Sequence, residues 1–90
     1  MNFEWDPRKA EINLRKHGVS FDEAGSVFLD HLALSGPDPE HSVGESRYIT
    51  FGVSSLGRLL AVSHTYRPGA IRIINARRVA RGERKLYEEG

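Results

Sequence analysis

Ninety residues, no cysteine and 28% charged side chains describe one domain, residues 1–90, held by a single small core without disulfides, thiolate zinc sites or a cysteine nucleophile. The longest purely apolar run, residues 59–62, is far too short for a bilayer span, and the opening residues lack signal-peptide character, so a cytoplasmic protein with no membrane partner is expected. The net charge of +1 conceals an asymmetry: residues 1–45 carry four Lys or Arg against nine Asp or Glu, and residues 46–90 carry nine against three, a footprint for a polyanion or an acidic partner, or else a solvated surface with ion pairs between the halves.

Asp6 before Pro7 predicts a helix over residues 7–16, because the carboxylate caps free N–H groups and proline costs least at the first helical position. Its apolar positions are few, Ala10, Ile12 and Leu14, and His17-Gly18 supplies the stop. Ser20 followed by Glu23 is a capping-box pattern, and Phe21, Ala24, Val27 and Phe28 share one face of a second helix, residues 21–28. Trp5 and Phe3 are expected in the core, since so small a domain cannot spare its only Trp. Residues 36–44, rich in Pro, Gly and polar side chains, read as a loop and the most mobile segment.

Three strands follow, residues 47–54, 59–66 and 71–77, joined by short turns at Ser55-Leu56-Gly57 and Arg67-Pro68-Gly69-Ala70, the latter with Pro and Gly where a type II turn wants them. A last helix, residues 81–89, has Leu86 and Tyr87 as packing residues. The order predicts an α+β domain: two N-terminal helices, an antiparallel sheet of three to four strands and a C-terminal helix.

Alternation then sorts the sheet faces. With Ile49, Phe51 and Val53 toward the helices, Tyr48, Thr50 and Ser54 share the open face with Ala61, Ser63, Thr65 and Arg67, while His64 and Tyr66 sit at the rim of the buried face. The last strand is ambiguous: either Arg72 and Arg78, or Asn75 and Arg77, join the open face. Hydroxyls, a ring and guanidinium groups on one face suit single-stranded RNA, although ordinary exposed residues of a one-sided sheet would look the same.

The four histidines have no metal-ligand spacing, so no metal and no cofactor is expected, and the common hydrolase and nucleotide-binding motifs are missing. What remains is metal-free RNA cleavage, in which the ribose 2′-hydroxyl attacks its own phosphate and the protein supplies a base, an acid and cations for the phosphorane. Arg67, Arg77 and Arg78 suit the cationic role. His64 suits proton transfer or is a structural histidine, with Tyr66 and Tyr87 as alternatives. Glu45 and Arg47, two residues apart at a strand start, either orient substrate or form a surface ion pair.

Specific strings then carry a resemblance: Phe3-Glu4-Trp5-Asp6, Lys16-His17-Gly18-Val19-Ser20-Phe21-Asp22-Glu23-Ala24, Thr65-Tyr66-Arg67 and Arg72-Ile73-Ile74-Asn75-Ala76-Arg77-Arg78, in this order and nearly end to end. The chain resembles the BrnT family of type II toxins. The resemblance implies a RelE-like fold, a ribonuclease that arrests growth by degrading RNA, and a cognate ribbon-helix-helix antitoxin whose complex with the toxin binds operator DNA and represses its own operon. The family usually has serine where this chain has Asn75. Carried over on matching positions, the catalytic candidates are Arg67 and Arg77, then His64, Glu45 and Arg47; the RNA-binding candidates are Arg72, Arg78, Arg81, Tyr48 and Tyr66. The competing reading is a non-catalytic module that binds nucleic acid or antitoxin and acts as a co-repressor.

Overall fold

The computed structural model describes residues 1–41 and 44–89, with the side chains of His41, Leu86 and Glu89 outside the description, so the packing expected of Leu86 and part of the expected loop, Ser42 and Val43, lie outside the described residues. A two-residue strand β1 (Phe3–Glu4) leads into α1 (Pro7–His17) and α2 (Phe21–Ser26), which runs on as a 3-10 turn, Val27–Leu29. Then come β2 (Leu34–Pro37), a 3-10 turn at Pro39–His41, β3 (Tyr48–Val53), β4 (Leu59–Arg67), β5 (Ala70–Arg78) and α3 (Arg81–Glu89). The chain is therefore α+β with one five-stranded sheet, ordered β1-β5-β4-β3-β2.

The sheet is mixed and wider than the three to four antiparallel strands expected. β1 runs parallel to β5, pairing Phe3 with Ile71 and Glu4 with Arg72, and two residues are too few for alternation to reveal. β2 pairs antiparallel with β3 at the other edge, where Pro37, read as loop, is tolerated because an edge strand has one side without ladder partners.

Local chemistry sets the helices. Asp6 accepts from the Arg8 N–H at 2.9 Å, and Gly18 ends α1 with its N–H on the Leu14 carbonyl. Only half of the expected capping box forms: the Glu23 N–H donates to Ser20 Oγ at 3.0 Å. The Glu23 carboxylate turns instead to the Arg58 guanidinium and the Ser54 hydroxyl, because a cation outcompetes a backbone amide for it. That pair, with Glu23 buried and Arg58 half-buried, ties the start of α2 to the β3–β4 turn.

The core lies between the helices and one sheet face. Val19, Phe21, Ala24, Val27, Leu60, Val62, Ile73 and Ala76 are buried there, with Phe3, Trp5, Ala10 and Phe28 packed around them; each fully buried large side chain contributes about 1.5–3 kcal/mol. Trp5 meets Phe21 edge-on at 5.9 Å and Phe3 meets Phe28 at 5.6 Å, as expected of core aromatics.

On β3 the faces are the reverse of those expected. Tyr48, Thr50 and Ser54 point toward the helices, with Thr50 buried, and Ile49, Phe51 and Val53 line the outer face. The cause is close packing at Gly52, where an added Cβ would stand 3.1 Å from the Val27 carbonyl oxygen and 3.2 Å from Ala33 Cβ. At Thr50 and Gly52 the helix-facing side of β3 has room for small residues only. In β5 the pairing register shifts between His64↔Ile73 and Ser63↔Asn75, leaving Ile74 as a bulge. That bulge resolves the ambiguity of the last strand: Ile71, Ile73 and Ala76 all face the core, while Arg72, Asn75 and Arg77 all face outward. Arg78, opposite Leu60, falls on the helix side.

Candidate active site

The outer face is built in cross-strand rows. Phe51, Ala61 and Arg77 form one row, and Ile49, Ser63 and Asn75 the next; farther along β4, Thr65 stands opposite Arg72, and Arg67 closes the strand. Ala61 and Arg67 are six residues apart, about 20 Å at 3.3 Å per residue, so Arg77 and Arg67 stand toward opposite ends of one face. Between them lies a cleft of about 340 Å³ lined by Asp38, Arg47, Ile49, Ser63, Ile74, Asn75 and Arg77. The structure thus brings Arg47 and Arg77 together and sets Arg67 and Arg72 along the same surface.

Every one of these guanidinium groups has its own geometry. Arg77 makes a two-pronged pair with Glu83 from α3, at 2.7 and 2.8 Å, in the fork geometry that also fits two phosphate oxygens. Arg67 donates to Glu45 Oε2 at 2.6 Å, and Arg72 to Glu4 Oε2 at 2.8 Å. Glu45 therefore pairs across the sheet with Arg67, not with its near neighbour Arg47. The Arg77 guanidinium holds the Glu83 carboxyl below the usual range and is itself held more firmly protonated, and Arg67 does the same to the Glu45 carboxyl. Both acids are anions at neutral pH.

α3 crosses toward the outer face beside this cleft. Besides the Glu83 pair it is fastened by Tyr87, whose hydroxyl donates to Asp30 Oδ2 at 2.6 Å. Arg81 is exposed at its start.

Other candidates fall elsewhere. His64 is fully buried on the helix side, its Nε2 2.7 Å from Thr50 Oγ1, which in turn lies 2.6 Å from Ser35 Oγ. Phe28 lies edge-on to its ring at 4.9 Å. Burial pushes the imidazole down to about 4, and Nδ1 has no hydrogen-bond partner, so a proton there would be stranded. Tyr48 and Tyr66 pack beside it with ring centroids 5.0 Å apart, which corrects the expectation that Tyr48 shares the open face with the arginines. Arg78 is likewise off that face. Glu83, Asp38 and Ser63 were not singled out as site residues from the sequence. Glu83 did carry a signal, as the one acid inside the basic stretch of residues 58–85; Asp38, lodged in a Pro-rich segment, carried none.

Among the described residues no three His, Asp or Glu side chains converge as a metal-ligand set, and no helix is long and apolar enough to cross a membrane. A family model for the ribonuclease toxin BrnT of type II toxin–antitoxin systems matches residues 5–83. Among solved structures the chain is similar to the ribonuclease toxin BrnT of Brucella abortus, with a TM-score of 0.69 and 21% identity, over 90% of this chain and 99% of that one. At that identity the likeness speaks for the fold. Comparison with curated protein sequences returns no match.

Proposed function

This chain belongs to the BrnT family of ribonuclease toxins of type II toxin–antitoxin systems, and we propose that it is a metal-independent endoribonuclease whose scissile phosphate lies in the Arg47–Arg77 cleft. Membership implies RNA as the target and an antitoxin as the partner. The observation that carries the reading is that two guanidinium groups line one cleft, one of them already gripping a carboxylate in the geometry a phosphate would take.

In this reading an RNA phosphate displaces Glu83 from Arg77, and the freed carboxylate accepts the 2′-hydroxyl proton. The 2′-oxygen bonds to phosphorus, and Arg77 with Arg47 neutralises the charge that builds on the phosphorane. The bond from phosphorus to the 5′-oxygen breaks, that oxygen takes a proton from water, and the products are a 2′,3′-cyclic phosphate and a 5′-hydroxyl. Arg67, Arg72 and Arg81 hold flanking phosphates, with Glu45 positioning Arg67. His64, Tyr48, Tyr66 and Arg78 stand on the helix side and take no part in the cleft. The toxin acts in the cytoplasm, where RNA loss blocks translation and growth. A ribbon-helix-helix antitoxin neutralises it, and operator DNA is bound only through their complex.

One observation favours the other reading, a non-catalytic module acting as co-repressor: Arg67, Arg72 and Arg77 each already hold a glutamate, which blunts the positive field. Incubation of the purified chain with naked RNA, with and without EDTA, separates the two. EDTA-resistant cleavage leaving 2′,3′-cyclic ends supports the nuclease. Intact RNA, with translating ribosomes added as well, together with operator binding by the antitoxin complex, supports the co-repressor.

A further inference from the structure

The arginine cleft does not end at the sheet. Ile74, displaced by the bulge, and Asn75 beside it also line a second groove, between β5 and α1, whose other walls are Lys9, Ile12, Asn13, Lys16 and His17. These α1 positions recur at i, i+3, i+4, i+7 and i+8, one face of a helix. Asn13 fixes that face against the sheet: its amide donates to the Ala76 carbonyl at 2.8 Å and accepts from the Ala76 N–H at 3.1 Å. With Asn13 buried there, Lys9 and Lys16 must flank it along the edge of β5.

Charge is sorted across the helix. Glu11, paired with Arg15, lines a different pocket on the opposite flank with Trp5 and Asp22. Among the described residues the α1–β5 groove has no acidic lining. Ile12, 53% exposed, gives it an apolar ledge against which a base can pack. Lys9 and Lys16 are about 10 Å apart along the axis, the span of roughly three stacked nucleotides at 3.4 Å each.

We propose that the α1–β5 groove is a second RNA subsite, in which Lys9 and Lys16 bind backbone phosphates of the strand that continues past the Arg47–Arg77 cleft over the Ile74 bulge. This rests on RNA being the ligand of the cleft. The sign of the charge and the shared Ile74–Asn75 wall favour RNA over a protein segment, which would need acidic side chains of its own to match two lysines. His17 closes the groove at the C-terminal end of α1 as a further hydrogen-bonding group.

The test uses RNA oligonucleotides of three and ten nucleotides with every 2′-oxygen methylated, so that binding is read without cleavage. By fluorescence anisotropy the unmodified chain binds the ten-mer at least about ten-fold more tightly than the three-mer, a gain expected from added phosphate contacts. Lys9→Ala/Lys16→Ala abolishes that gain and lowers the salt slope by about 1.4, two single-strand phosphate contacts, while Lys9→Arg/Lys16→Arg retains both. Both lysines are exposed, and an unchanged thermal midpoint confirms folding. Undiminished ten-mer affinity and slope in the alanine variant overturn the proposal. So does loss of antitoxin binding with RNA affinity intact, which would give this face to the protein partner. Cleavage of unmethylated RNA is scored separately: a chain that cuts nothing but loses the length gain in the variant keeps the subsite and loses the nuclease.

Discussion

Asn13 supplies the pair of hydrogen bonds that β1 is too short to give Ala76. β1 stops at Glu4, opposite Arg72, so the edge of β5 beyond that point would expose unpaired backbone groups. The Asn13 amide meets both polar groups of Ala76 and also donates to the Val19 carbonyl at 2.9 Å. One side chain therefore joins α1, the turn after it and the strand that carries Arg77.

Replacing it with alanine leaves buried backbone groups without partners, at about 1–3 kcal/mol each. Asn13→Ala should lower unfolding free energy by about 3 kcal/mol in urea titration. Asn13→Asp should do little better, because the carboxylate cannot donate to the two carbonyls. A loss below about 1 kcal/mol in the alanine variant would mean water replaces the amide.

His64 makes stability depend on pH in a definite direction. Its folded pKa lies near 4 against 6.5 unfolded, so between those values the unfolded chain binds more protons and stability falls as pH falls. The contribution is full above about pH 6.5, and its complete loss by pH 4 amounts to about 3 kcal/mol. His64→Leu should flatten this window, with Thr50 keeping its Ser35 partner. Below it, Glu23, Asp30, Glu45 and Glu83, all with lowered pKa values, lose their contribution as pH falls through their folded pKa values. An unchanged pH 4 to 6.5 slope in the variant would remove His64 as the cause.

Glu83 is the proton acceptor in the proposed reaction. Glu83→Gln keeps the shape and one hydrogen bond to Arg77 but cannot take a proton, so cleavage should fall about 10²- to 10⁴-fold while affinity for uncleavable RNA rises or holds. Arg77 is the main cause of the lowered Glu83 pKa in the free chain, and the phosphate takes Arg77 away in the reactive complex, so the rate in the unmodified chain should fall as pH drops through the ordinary glutamate range. A Gln variant with full activity would assign the base elsewhere.

The helices and the three long strands were legible because each carries dense local signals: Asp6-Pro7, His17-Gly18, Ser20, and the alternation of residues 49–53. Which face of β3 is buried was not, since Gly52 and Thr50 look like polar surface until Val27 and Ala33 press against them. The meeting of Arg47 and Arg77 was likewise hidden, because Arg47 shares the face of Ile49, which alternation alone places toward the helices; the bulge at Ile74 adds Arg72 to the face that Asn75 and Arg77 share by plain alternation. Charge asymmetry pointed to the half of the chain that carries the arginines of the proposed cleft but could not foresee that Glu45, Glu4 and Glu83 would each take an arginine. His64 drew notice for its chemistry alone, and burial removes it from the cleft.

The most direct test of the central claim is single-turnover RNA cleavage by the unmodified chain and by Arg77→Lys, with affinity for methylated RNA measured alongside. Lysine keeps the charge and loses the fork, so the rate should fall at least about 100-fold while affinity changes less than about three-fold. Equal small losses in both, or an unaltered rate, would contradict a scissile phosphate held by Arg77.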